Sequence, residues 1–148
     1  MGVEAFFQAS VDVFSSGSVM FVFLGVLLGL CFGIIPGLGG TTALALLIPI
    51  TFTMDALDAM YLAGGVMGAT SFGGSITAIL LNTPGTAPNA ATSFDGYPLA
   101  QQGKAGLAIG ASATASAVGG LLGLITLMMF IPLAKEIVLL FGPVEFLL

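Results

Sequence analysis

Two short stretches hold the residues whose types and spacing could do chemistry. In the first, IPGLGGTT, Pro36 withholds a backbone donor and Gly37, Gly39 and Gly40 allow conformations closed to other residues, with Thr41 and Thr42 following. A half-helix beginning there aims the free N–H groups of Gly40, Thr41 and Thr42, and a positive dipole end, at whatever lies ahead, which suits a carboxylate. In the second, LNTPGTAPNA, the side chains of Asn82, Thr83 and Thr86 offer neutral oxygens around Gly85, and Pro84 frees nearby carbonyls. Such a set coordinates a hard cation such as Na+ or hydrogen-bonds a solute. Ser75 lies on the apolar run that leads into it.

Other chemistries lack their parts. Ser75 stands in a Gly-Gly-Ser context, but a serine nucleophile needs a base; the chain has no His, and Lys104 and Lys135 fall at segment ends. An aspartyl mechanism needs two acids within the apolar segments, and every Asp flanks one. With a single Cys, Cys31, and no His, neither a zinc or haem site nor an internal disulfide can be assembled. Two basic residues make no patch for nucleic acid. No catalytic residue and no bound metal are therefore expected.

The elements that must position the two stretches follow from composition. The chain is 57% hydrophobic and 6% charged, with a mean hydropathy of +1.17, so water is not the solvent for most of it. Long uncharged runs, Val13 to Met54, Ala59 to Phe94 and Ala105 to Ala134, can each hold a span of about 20 residues. The reading is an all-α integral membrane protein with spans at about 18–35, 59–81 and 105–131, and with Pro/Gly-broken half-helices or re-entrant segments at about 36–50 and 82–95. A further span begins near 141, where FGPVEFLL stops within two turns. The sequence reads as the N-terminal part of a larger polytopic domain, or as one that needs other chains to cover its glycine faces.

Local signals refine this. The opening MGVEAFFQASVDVF is amphipathic, suiting an interfacial helix or a lead-in to the first span, and it lacks the basic residues of a cleavable leader. Gly25, Gly29 and Gly33 leave one stripe of the first span without side chains, so that a neighbouring helix can approach. Pro49 is expected to end the half-helix that starts near Thr41. Asp55 and Asp58 resemble an N-cap and a first-turn acid. Asp95-Gly96 followed by Tyr97-Pro98 reads as a turn. Ala111, Ala115, Gly119 and Gly123 form a second small ladder beside Ser112, Ser116 and Gly120.

The blocks GIIPGLGGTTALALLIPITF, FGGSITAILLNTPGTAPNAATSFDGYPLAQQGKAG and FGPVEFLL closely resemble the large membrane subunit (TctA) of the tripartite tricarboxylate transporters, from about Gly17 onward. The resemblance implies an ion-coupled secondary transporter of bacterial inner membranes, multi-pass, accompanied by a small membrane subunit and a periplasmic binding protein. Its substrate is typically citrate or another carboxylate. It marks Pro36, Gly37, Gly39, Gly40 and Thr41 in the first break and Asn82, Thr83, Pro84, Gly85 and Thr86 in the second. Assigning carboxylate to the first and cation to the second comes from the residues. Na+ is favoured over H+ as the coupling ion, because no Asp or Glu lies mid-span. A non-transporting membrane scaffold and a channel are the alternatives. Lys104 and Lys135 sit at opposite ends of one span and cancel as orientation signals.

Overall fold

The computed structural model describes residues 17–140, together with Gln8, Val11, Val13 and Phe14. From residue 17 on, the elements are α1 Val19–Ile34, α2 Gly40–Thr51, α3 Ala56–Leu81, a 3-10 turn Ala87–Asn89, α4 Ala90–Gln101 and α5 Ala105–Leu140; no strand occurs among the described residues. Apart from those four helical residues, the amphipathic opening segment lies outside what is described, as does the segment from 141.

The organising element is α3. Its 26 residues make it about 39 Å long, enough to cross a hydrocarbon layer of about 30 Å. Asp55 occupies its N-cap position and Asp58 its first turn, as expected, but Asp55 makes no side-chain cap bond. Asp58 instead accepts a hydrogen bond from Ser18 Oγ at 3.0 Å, which ties the start of α1 to the start of α3.

The glycine ladder of α1 sets how these two helices meet. A Cβ on Gly25 would overlap the carbonyl oxygen of Leu62, one on Gly29 that of Val66, and one on Gly33 that of Thr70. Gly65 and Gly73 reciprocate against Val22 and Leu30. The contacted positions rise together along both helices, so α1 and α3 run parallel with their backbones nearly touching. Dispersion between the backbones holds such a pair where bilayer tails give no hydrophobic drive.

Two parallel neighbours need a returning segment, and α2 is that segment. Ala43 and Leu47 pack with Val66, flanked by Leu28, Phe32 and Leu44. Gly40 lies against Met67 and Thr70, whereas Leu47, Ile48 and Thr51 line a cavity of about 300 Å³ with Ala59, Met60 and Ala63. As α2 advances it therefore descends α3 towards its start. Helix α1, 16 residues and about 24 Å long, falls within the expected segment at about 18–35 and forms one arm of a helical hairpin that turns at PGLGG. Helix α2 also runs through Pro49 to Thr51. The proline removes only the N–H that Ala45, on the exposed side, would have received, while Thr51 Oγ1 donates to the Ile48 carbonyl at 2.8 Å.

After Asn82 the chain turns back along α3 and then reverses again as α4. The expected turn at Asp95 to Pro98 is absent, because all four residues lie inside α4. Gly96 is buried, and a Cβ there would stand 2.7 Å from Ile79 Cγ1, so the glycine serves close packing. The actual turn follows at Gly103 (φ +75°), where the Gly103 N–H donates to the Ala100 carbonyl (3.0 Å) and the Lys104 N–H to that of Leu99 (3.0 Å). This paired C-terminal cap needs a left-handed residue, which glycine adopts freely.

Helix α5 has 36 residues rather than the expected 27 or so, and only its first turns pack on α3 and α4. Its small ladder meets nothing: Gly119, Gly120 and Gly123 have no heavy atom within 4 Å of a built Cβ. Leu121, Ile125, Met129 and Phe130 are exposed. Such a surface fits lipid or further helices, and the whole is an all-α membrane protein.

Candidate functional site: two hairpin tips on one helix

The first tip is short and stiff. Ile35 is extended, Gly37 takes a left-handed conformation (φ +87°), and the Leu38 N–H donates to the Ile35 carbonyl at 3.1 Å. Gly39, extended, is the N-cap of α2 and contributes no side chain to it. The first-turn N–H groups of Gly40, Thr41 and Thr42 have no intrahelical acceptor. A Cβ on Gly40 would stand 2.9 Å from Met67 Sδ and 3.6 Å from Thr70 Oγ1. The tip thus sits just past the midpoint of α3.

The second tip arrives from the other end of α3. Asn82 takes a left-handed conformation (φ 54°, ψ 28°), and its N–H donates to the Thr77 carbonyl. The Thr83 N–H goes to the same oxygen at 3.4 Å, and the Gly85 N–H reaches the Gly74 carbonyl at 3.3 Å. The chain therefore runs back down α3 as a narrow arm. A Cβ on Gly85 would overlap the Gly33 carbonyl and stand 2.6 Å from Gly74 Cα. No other residue fits where the second tip touches the end of α1.

Asn89 locks this tip. Its Oδ1 accepts from Ser75 Oγ (3.1 Å), and its Nδ2 donates to the Ser71 carbonyl (2.9 Å) and to Thr86 Oγ1 (2.9 Å). The side chain is 6% exposed. A carbonyl can only accept, so the contact with Ser71 fixes which end of the amide is nitrogen. Since Gly74 has no Cβ, the amide can lie against the helix backbone.

The structure distributes the sequence-predicted residues unevenly. Gly39, Gly40, Thr41 and Thr42 form the start of α2, with Gly37 exposed in the turn before it and Pro36 at the break. Gly85 and Thr86 lie at the second tip, and Ser75 is buried beneath it, bonded to Asn89. Asn82, Thr83 and Pro84 belong to the far end of α3, with Asn82 and Thr83 exposed, and do not join the tip. Sequence reasoning noticed Asn89 within the break and gave it no role. Its signal was the Thr-Ala-Pro-Asn spacing, which places an Asn amide three residues after a threonine hydroxyl across a proline-started turn.

Two half-helices, α2 and α4, thus begin at neighbouring heights on α3, reached from its opposite ends. Both have N-termini without a side-chain cap bond. Few charges lie near: Asp55 and Asp58 are at the start of α3, Asp95 is exposed in the second turn of α4, Lys104 comes before α5, and no group of three His, Cys, Asp or Glu clusters among the described residues. Backbone N–H groups and threonine hydroxyls backed by positive dipole ends can hold an anion without any cationic side chain.

Comparison with known proteins places this arrangement. Residues 19–148 match the model of the tripartite tricarboxylate transporter TctA family. An uncharacterized 52.8 kDa protein in the TAR-I ttuC' 3' region of Agrobacterium vitis is 37% identical over 129 residues. That match covers 87% of this chain and 26% of the relative, so the chain spans about a quarter of its length. No solved structure matches. With a family model covering residues 19–148, nearly the whole chain, this chain belongs to the tripartite tricarboxylate transporter TctA family, a family of transporters and not of enzymes.

Proposed function

We propose that the chain forms part of the membrane subunit of an ion-coupled secondary transporter that takes up tricarboxylates or related carboxylates across the bacterial inner membrane. A small membrane subunit and a periplasmic binding protein complete the system. The observation that carries this reading is that two half-helices, α2 and α4, begin beside the middle of α3, with Gly40 against Met67 and Thr70 and Asn89 against Ser71 and Ser75, entered from opposite ends. In hydrocarbon, broken backbone persists only where protein buries it or a wet cavity receives it, and half-helix N-termini facing such a cavity stabilise carboxylates. The substrate carboxylates would be received by the N–H groups and hydroxyls from Gly39 to Thr42, and by the Thr86 hydroxyl at the second tip. Na+ serves better than H+ as the coupling ion, since the described acids flank the helices or stand exposed.

The test is uptake. Full-length protein containing this segment, reconstituted with its two partner subunits, should accumulate labelled citrate only with an inward Na+ gradient and the binding protein. Abolishing the Na+ gradient should reduce the initial rate at least tenfold. Flux independent of both gradient and binding protein would show a channel, and assembly without flux a scaffold.

A further inference from the structure

The second hairpin holds a cleft that the carboxylate site does not use. It lies between the arm at 82–86 and α4, has a volume of about 430 Å³, and is lined by Asn82 and Pro84 on one side and by Ser93, Phe94 and Tyr97 on the other. Ser93 Oγ is shut off from solvent and has no hydrogen-bond partner among the described residues. Helical hydroxyls ordinarily return to a carbonyl one turn back, as Thr70, Thr114 and Thr126 do. Ser93 does not, so its lone pairs are unused beside the cleft that the residue lines.

The end of α3 supplies the complementary half. The N–H groups of Asn82 and Thr83 both go to the Thr77 carbonyl, and Pro84 has no N–H. None of these three residues returns a backbone N–H to the carbonyls of Ala78, Ile79 and Leu80, which project from the negative end of the helix dipole beside Asn82. Asn82 is itself held left-handed, a conformation uncommon outside glycine that carries its amide beyond the helix end.

Every polar group here is a neutral oxygen or an amide. An anion is disfavoured by the helix C-terminus, a divalent cation lacks the carboxylates it requires, and a proton finds no basic group. A hard monovalent cation fits this chemistry. We propose that this cleft is a Na+ site, formed by the Asn82 amide oxygen, Ser93 Oγ and the carbonyl end of α3, with Tyr97 at its rim. The proposal rests on the ion-coupled reading above and gives its coupling ion a place apart from the carboxylate.

The sequence offers a probe, because the chain has two tyrosines and no tryptophan. In full-length protein with Tyr61 and every further tyrosine or tryptophan except Tyr97 replaced by phenylalanine, purified in detergent, Tyr97 is the sole strong emitter. Its emission should change saturably with NaCl at ionic strength held constant by choline chloride, and at least tenfold more weakly with KCl. Ser93→Ala removes a hydroxyl without a partner, so its thermal midpoint in choline should stay level or rise while the Na+ response weakens at least tenfold. Asn82→Gly keeps the left-handed turn, and should weaken the response likewise. A Tyr97 signal that ignores Na+, answers choline equally, or survives both variants would overturn the site. Na+-driven uptake with a silent Tyr97 would remove the cleft and leave coupling intact. A Na+-selective Tyr97 with cation-independent uptake would do the reverse.

Discussion

Gly33→Ala should destabilise the chain, although alanine is the better helix former. At an exposed helical position the exchange gains about 0.5–1 kcal/mol, and Gly68, which has open space around it, should show that gain. At Gly33 the new Cβ meets the Thr70 carbonyl oxygen and stands 3.0 Å from both Gly73 Cα and Thr70 Cα. All three are backbone atoms of α3, so no rotamer change relieves the overlap and α1 must move away. Overpacking of this kind costs about 1–3 kcal/mol, more than the propensity gain. The Gly33 carbonyl is also where Gly85 rests, so displacement of α1 disturbs the second tip. Thermal unfolding in detergent should place Gly33→Ala several degrees below the parent and Gly68→Ala level or above. In combination with Gly85→Ala the loss should be smaller than the sum, since either methyl alone separates the same surfaces. Equal midpoints for the Gly33 and Gly68 variants would refute the close parallel packing of α1 and α3.

Asn89→Asp should be the most damaging isosteric change at the site. Asn89→Ala deletes three hydrogen bonds and leaves Thr86 Oγ1 without that donor, although Ser75 Oγ can still reach the Ser71 carbonyl at 3.4 Å. With about 0.6 kcal/mol per bond in a membrane protein, plus the gap left by the amide, the loss is on the order of 2 kcal/mol. Aspartate keeps the volume but sets a carboxylate oxygen against the Ser71 carbonyl, where nitrogen now donates. It also places a charge at a site that is almost fully buried. The aspartate variant should therefore unfold at a lower temperature than the alanine variant. Both should lose transport in the full-length protein, because the second tip is no longer held to α3. Hydrogen exchange at the Gly85 amide, which bonds to the Gly74 carbonyl, should accelerate in both. A protected Gly85 amide in Asn89→Ala would show that the network does not hold the tip.

How far the sequence foretold this arrangement depended on whether a signal was local. The ladder at Gly25, Gly29 and Gly33 announced close helix packing, because small residues four apart have one dominant use within a span. The two breaks were visible because proline and glycine alter the backbone wherever they stand. What no local rule conveys is depth: that PGLGG turns back beside Thr70, and that Thr86 to Asn89 reach the same height from the other end, follow only once α1 registers against Leu62, Val66 and Thr70. Gly96 shows the opposite failure. Its neighbours Asp95, Tyr97 and Pro98 make a convincing turn signal, yet contact with Ile79 gives the glycine a packing role and the helix continues. Pro49 likewise ended a helix on paper, whereas at an exposed position near the C-terminus the lost bond is inexpensive. Asn89 was given no role because its three partners lie on residues 71, 75 and 86, and only the returning arm brings them together.

The central claim is that the two breaks, far apart in sequence, share one carboxylate-binding cavity at mid-depth. Cysteine protection tests it most directly. Cys31 is the one cysteine of this sequence, so full-length protein with Cys31 and any further native cysteine replaced by serine allows Thr41→Cys and Thr86→Cys to be introduced one at a time. Labelling by a small water-soluble thiol reagent is then timed with and without saturating citrate, with Gln102→Cys in the exposed turn before α5 as control. Citrate should slow labelling at residues 41 and 86 at least tenfold with the same half-maximal concentration, and leave residue 102 unaffected. Protection at one position only, or at neither, would contradict a shared site.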